Sequence, residues 1–145
     1  MDTGRTVEQL IRDVGRLSRL MTQLAGPDLT RTESWLLGAV SERPRRITEL
    51  AHFVGLTQPG ITAVVNSLEQ RGLTRREPDP GDGRAVRIRL TEPGRALIEE
   101  RHRRVGDALI ASLSTQPTDA EQLAAGAAAA VDMLVRALES ARVER

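Results

Sequence analysis

The sequence predicts a mainly α-helical fold with a two-stranded β wing, flanked by long helices at both ends. Three observations predict it. Apolar residues recur at helical spacing through most of the chain. The period drops to two only between Leu73 and Leu90. The aromatics that sheet proteins favour are nearly absent, with Trp35 and Phe53 standing alone and no Tyr. At 145 residues the chain is long enough to bury its own core, so one domain over 1–145 is expected. Within it, 30–91 reads as a central lobe, and 1–29 and 92–145 read as helices that dimerise.

The first helix is expected over 5–24, where Val7, Leu10, Ile11, Val14, Leu17, Met21 and Leu24 form one apolar stripe. Gly26-Pro27 ends it. Thr30 and Glu33 form a capping box for a second helix with Trp35, Leu36, Ala39 and Val40 inward, and Pro44 stops it. A short helix from Ile47 or Thr48 to Val54 turns at Gly55. Thr57 caps the next, with Pro59 in its first turn, where a missing N–H costs nothing. Ile61, Val64, Val65 and Leu68 face inward, and Gly72 closes the helix.

Leu73–Glu77 and Val86–Leu90 read as strands joined by the turn formers Pro78 to Gly83, which makes a hairpin with a long polar tip. Thr91 caps a helix to about Leu113 that carries Pro93 in its first turn. Gln116-Pro117 interrupts the chain, and Thr118 with Glu121 forms a second capping box. The last helix runs from about Asp119 to Arg142 with Leu123, Ala127, Val131, Leu134, Val135 and Leu138 on one face. A lone small lobe has no need of two long amphipathic helices, whereas a second copy could cover their apolar faces.

Net charge is +1, close to neutral, but its distribution is uneven. Between Arg43 and Leu90 nine arginines face five acids, so the middle is basic and the flanks acidic. That is the pattern expected if only the middle meets phosphate. All 21 basic residues are Arg, each a planar fork able to grip phosphate or guanine with two hydrogen bonds.

Two helices joined by a Gly turn make a helix-turn-helix, which needs small and apolar residues where they cross. Ala51, Gly55, Ile61 and Val64 supply them. The outer face of the second helix is then Gln58, Gly60, Thr62, Ala63, Asn66, Ser67 and Gln70, with no acid before Glu69. Small and amide side chains enter a major groove without clash, and Gln or Asn can pair with adenine.

At this point the chain resembles the multiple antibiotic resistance regulators, the MarR family. The wing run Asp82-Gly83-Arg84-Ala85-Val86-Arg87-Ile88-Arg89-Leu90-Thr91, followed by Glu92-Pro93-Gly94, is similar to the family's wing signature. Gly55-Leu56-Thr57-Gln58-Pro59 and Leu68-Glu69-Gln70-Arg71-Gly72-Leu73 add to the likeness. The resemblance implies a winged helix-turn-helix in which residues 57–71 form the recognition helix. It also implies that Arg84 enters the minor groove from the wing tip and that Asp82 holds its guanidinium by a salt bridge. The expected DNA-binding set is Thr57, Gln58, Pro59, Gly60, Thr62, Ala63, Asn66, Arg71, Arg75, Asp82, Arg84 and Arg87.

The resemblance further implies a homodimeric repressor of a pseudo-palindromic operator, released by a small anionic or aromatic effector near Arg16, Leu20 and Trp35. A ligand-independent regulator, or an activator of the same fold, is the alternative. Trp35 is most simply a core residue. No cofactor and no metal are expected, since there is no Cys and only His52 and His102. No phosphate loop, dinucleotide fingerprint or grouped nucleophile and base points to an enzyme. The early acid Asp2 and the lack of a long apolar run argue for a cytoplasmic chain with no membrane partner.

Overall fold

Asp2 opens the first helix, α1 (Thr3–Ala25), by accepting the Gly4 amide at 3.1 Å. In this computed structural model, which describes residues 2–115 and 119–143, five more helices and a small sheet follow. They are α2 (Arg31–Glu42), β1 (Arg45–Arg46), α3 (Ile47–Val54), α4 (Gln58–Gln70), β2 (Thr74–Asp79), β3 (Asp82–Leu90), α5 (Glu92–Leu113) and α6 (Ala120–Val143). The mainly α, winged fold class expected from the sequence is the one observed.

Local chemistry explains most boundaries. The Thr30–Glu33 capping box is formed, with Glu33 accepting the Thr30 amide at 2.8 Å. Gly55 and Gly72 take φ of 74° and 71°, a left-handed backbone that a side chain would strain. α3 starts one residue before Thr48: Arg46 is its N-cap, and its amide donates to Glu49 at 2.7 Å. Gln116-Pro117 and the Thr118 half of the second capping box lie outside the described residues. Asp119 caps α6 by accepting the Gln122 amide at 3.0 Å.

The wing departs from the expected hairpin in two ways. The sheet has three strands, in the order β1-β3-β2 and all antiparallel, because Arg45 and Arg46 pair with Ile88 and Arg87 on the far edge of β3. Two residues are too few for a periodic signal. The tip is also tighter than the turn formers implied. Asp79 pairs with Asp82, leaving Pro80-Gly81 as the turn, with an irregularity between Pro78 and Asp79. Asp79 draws the tip closed by accepting the Gly81 amide at 2.8 Å.

One core underlies the lobe. Leu36, Leu37, Leu50, Ile61, Leu68 and Ile88 are fully buried, joined by Val65, Leu73, Leu90 and Ala51. Each such side chain contributes about 1.5–3 kcal/mol of transfer free energy. α2, α3, α4 and β3 all contribute to that core, so the helix-turn-helix and the base of the wing share it.

Two compact units are distinguished, one running to Val105 and one beginning at Gly106. In the first, the start of α5 is sewn to its surroundings. Arg101 is buried and donates to the carbonyls of Ala25 and Gly26, and Arg104 donates to Ala25 and to Asp28. These carbonyls lie at the end of α1, where no intrahelical donor remains for them, and a cation is favoured there. In the second unit, Leu109, Ile110, Val131, Met133 and Leu138 are all exposed. On α1 the whole predicted stripe is exposed too, from Val7 to Leu24.

Gly94 marks the tightest seam. A Cβ there would collide with the Leu73 carbonyl oxygen and lie 2.8 Å from Leu90 Cδ1. That carbonyl cannot drift, because it accepts the Thr91 amide at 3.1 Å, while Thr91 Oγ1 donates to Gly72 at 2.6 Å. Gly94→Ala is therefore expected to cost about 1–3 kcal/mol through overpacking. Urea denaturation reads it directly: a midpoint equal to wild type would show that α5 does not seat so closely on the wing base.

Candidate nucleic-acid interface

The recognition geometry begins with the crossing of α3 and α4. Ala51 and Ile61 are buried at the contact, and Val64 packs against the core beside them. The Gly55 and Leu56 amides both donate to Ala51, at 2.9 and 3.0 Å, which makes the turn tight. Thr57 then caps α4 by accepting the Gly60 amide at 3.3 Å, and Pro59 sits in the first turn. The inner face spends Ile61, Val65 and Leu68 on the core. What remains outward is Gln58, Pro59, Ala63, Asn66 and Gln70, all exposed, with Gly60 and Thr62 half-buried beside them. Gln58, Thr62, Asn66 and Gln70 follow at four-residue steps and so share one face.

Charge on the wing is sorted by strand register. Arg75 faces Arg89 across the β2–β3 ladder and Glu77 faces Arg87. Glu77 takes both arginines of β3, Arg87 at 2.9 Å and Arg89 at 2.6 Å. The Arg89 hydrogen bond first, and Arg87 with it, hold the Glu77 carboxyl below its usual range against a smaller upward push from burial. Arg46 reaches across β3 to Asp79 at 2.6 Å and holds that carboxyl low as well. Arg43 pairs with Glu49 at 3.0 Å, and Arg45 pairs with Glu42 while lying 5.3 Å over the Phe53 ring. Arg76 is held by Glu69 and Asn66 on α4.

Among the described residues of the 43–90 segment, Arg75 and Arg84 alone have no hydrogen bond or ion pair on the guanidinium. Both are exposed, one on the edge strand β2 and one beside the tip. The sequence-level surplus of charge thus resolves into two cations free for a polyanion.

Several predicted residues sit elsewhere than expected. Arg71 points away from the outer face of α4. It donates to Glu33 at 3.2 Å and to the Asp28 carbonyl at 2.6 Å, tying α4 to the start of α2. Asp82 accepts the Arg84 backbone amide at 3.1 Å and makes no salt bridge to its guanidinium, so the expected pair is replaced by an Asx turn. Arg87 is spent on Glu77. Trp35 is half exposed and is not part of the core. Arg16 and Leu20 are both exposed, four residues apart on α1. Sequence reasoning missed Glu33, whose buried carboxylate serves Thr30, Ser67 and Arg71 at once. Burial pushes Glu33 upward, but the Thr30, Arg71 and Ser67 contacts outweigh it and leave its pKa lowered. Only its capping role was legible.

With this geometry in hand, likeness to known proteins is specific. The MarR family model matches residues 28–85, from the start of α2 into the wing. Over that stretch the chain is similar to the MarR family. Solved structures also resemble the chain over most of its length. One from Thermotoga maritima has a TM-score of 0.75 at 22% identity, with 94% of this chain and 98% of that one covered. MepR of S. aureus, solved as a mutant bound to an oligodeoxyribonucleotide, gives 0.61 at 24% identity over 90% and 96%. PcaV of Streptomyces coelicolor, solved with its natural ligand, gives 0.60 at 25% identity over 97% of each chain. The Thermotoga and Streptomyces neighbours are transcriptional regulators. Among the described residues no helix is long and apolar enough to cross a membrane, and no cluster of metal-binding side chains occurs.

The lowered carboxylates set a pH dependence. Glu33, Glu49, Glu77 and Asp79 are all held below their ordinary carboxylate values in the folded chain by the hydrogen bonds and arginines around them. As the pH falls through those ordinary values, the unfolded chain takes up protons that the folded chain refuses. Stability that is complete above that range is therefore lost progressively below it. Thermal melts between about pH 6 and 3 should show a falling midpoint, and Glu77→Gln should make the fall shallower. A Glu77→Gln profile parallel to wild type would remove Glu77 from the account.

Proposed function

We propose that this chain is a sequence-specific DNA-binding transcriptional regulator that acts as a homodimer. One observation carries the reading: the outer face of α4 is exposed and free of unpaired acid, and the two arginines of the described 43–90 segment without a partner, Arg75 and Arg84, stand on the wing. Gln58, Thr62, Ala63 and Asn66 would meet base edges in the major groove. Thr57, Pro59, Gly60 and Arg75 would lie along the backbone, where contacts position without reading sequence. Arg84 would enter the minor groove, whose negative potential is deepest where A·T-rich sequence narrows it. The oligonucleotide bound by MepR supports this assignment.

The exposed apolar faces of α1 and α6 support a second copy as partner, since isolated stripes of that length on a soluble chain call for cover. Two-fold symmetry would set the recognition helices about 10 base pairs apart on a pseudo-palindromic operator. Repression by occlusion is the default outcome, and the whole of 1–145 would act as one functional domain. A small anionic or aromatic effector near Arg16, Leu20 and Trp35 would release DNA only if it binds the two states of the dimer unequally. The half-exposed Trp35 and the ligand held by PcaV support that step.

A mobility shift on the DNA upstream of this gene, with and without candidate aromatic acids, tests the reading. Arg84→Ala should weaken binding by about 1–3 kcal/mol and reduce the salt slope by about 1. Binding that is unchanged in strength and salt dependence would remove Arg84 from the interface. The dimer has its own test. Val14→Glu with Leu17→Glu places two charges on exposed positions of α1, so the lobe should still fold while sedimentation shows monomers. Dimers that persist would exclude α1 from the interface.

A further inference from the structure

Arg76 lies on β2, yet its partners are on α4. Its Nη2 donates to Asn66 Oδ1 at 2.8 Å, its Nη1 pairs with Glu69 Oε2, and its backbone amide donates to Glu69 Oε1 at 3.1 Å. A guanidinium carries donors and no acceptor. The Asn66 atom that faces it must therefore be the carbonyl oxygen, because turning the amide over would set N–H against N–H. Chemistry thus fixes an orientation that an asparagine usually leaves open.

Asn66 is exposed and shares its face with Gln58 and Thr62. An asparagine that reads adenine needs both ends of its amide, the oxygen for N6 and the nitrogen for N7, in the plane of the base. Here Arg76 takes one of the oxygen's two lone pairs and sets the plane, so a base amino group would have to share the oxygen with a guanidinium. The Nδ2 donors are the end that stays wholly unengaged.

We propose that Arg76 biases Asn66 toward donating, so that the base facing it is selected for acceptors, with guanine preferred to adenine. The inference rests on the DNA-binding reading above and gives that surface a specificity of its own. Glu69 is part of the device. It neutralises the Arg76 charge and holds β2 against α4, so the contact adds no phosphate-seeking cation to the groove. Arg76 is thus a positioning residue, and Asn66 is the group that touches the base.

The test uses duplexes selected from a random library by the full-length chain, with each position then substituted by all four base pairs and binding followed by fluorescence anisotropy. Asn66→Ala should flatten the preference at one symmetric pair of positions. There the wild type should favour guanine over adenine by about fivefold or more. Arg76→Met frees the amide and should raise adenine to parity or better, while Arg76→Lys, which still donates, should keep guanine. Asn66→Asp retains the hydrogen bond from Arg76 but has no donor to offer, so it should lose guanine and gain cytosine even if Arg76→Met disturbs the wing. Adenine preferred by the wild type, or Asn66→Asp leaving guanine favoured, overturns the proposal. Selection that yields no duplex at all overturns the DNA-binding reading beneath it, and the two failures are told apart by whether any duplex binds.

Discussion

The burial of Ile88 and Leu90 sets the register of β3, and that register decides which charges of the lobe are available. Both side chains enter the core shared by α2, α3 and α4. Side chains alternate along a strand, so Arg87 and Arg89 must emerge on the opposite face. A slip of one residue would drive two arginines into the core, which makes the register costly to change. Once it is fixed, Glu77 on β2 stands directly across from Arg87 and within reach of Arg89. Arg75, one pleat further along the same face, is left across from Arg89 with no acid of its own.

The same logic explains why the lobe holds so many arginines and frees so few. A guanidinium can serve as structural cement because it donates in several directions at once and never loses its charge. Arg45 meets a carbonyl, a carboxylate and an aromatic ring, and Arg71 meets a carboxylate and a carbonyl. Arg101 and Arg104 hold the end of α1. Where these pairs are exposed they contribute little stability each. Their larger effect is subtraction, since every internal pair removes a cation from the field that a polyanion would feel.

What the sequence revealed, and what it hid, follows the range of the interactions. Helix limits, the Thr30–Glu33 box, the Gly55 turn and the inward face of α4 depend on neighbours within a turn or two, and they were legible. The two-residue β1, the Arg46–Asp79 bridge and the diversion of Arg71 to Glu33 join residues more than thirty apart. No local pattern distinguishes Arg71, which anchors, from Arg75, which is free. Trp35 misled for a related reason. Helical spacing identified the buried side of α2, but Leu37 and not Trp35 is buried along with Leu36. The candidate DNA face was legible as composition, and its charge balance was not, because the balance depends on cross-strand pairing.

These contacts also make α4 and the wing one body. Arg76 binds β2 to α4, Arg46 binds β1 to the wing tip, and Gly94 lets α5 seat against the carbonyl of Leu73. The far end of that seat continues to α1, since Arg101 on α5 holds the Ala25 and Gly26 carbonyls. A displacement of α1 would therefore strain the Arg101 contacts before it reached the interior of the lobe. Packed cores resist continuous deformation and favour movement of whole elements. If an effector acts through α1, the lobe should move as a unit. Its reading surface would then stay intact while its position changes, which separates affinity control from base specificity within a single small fold.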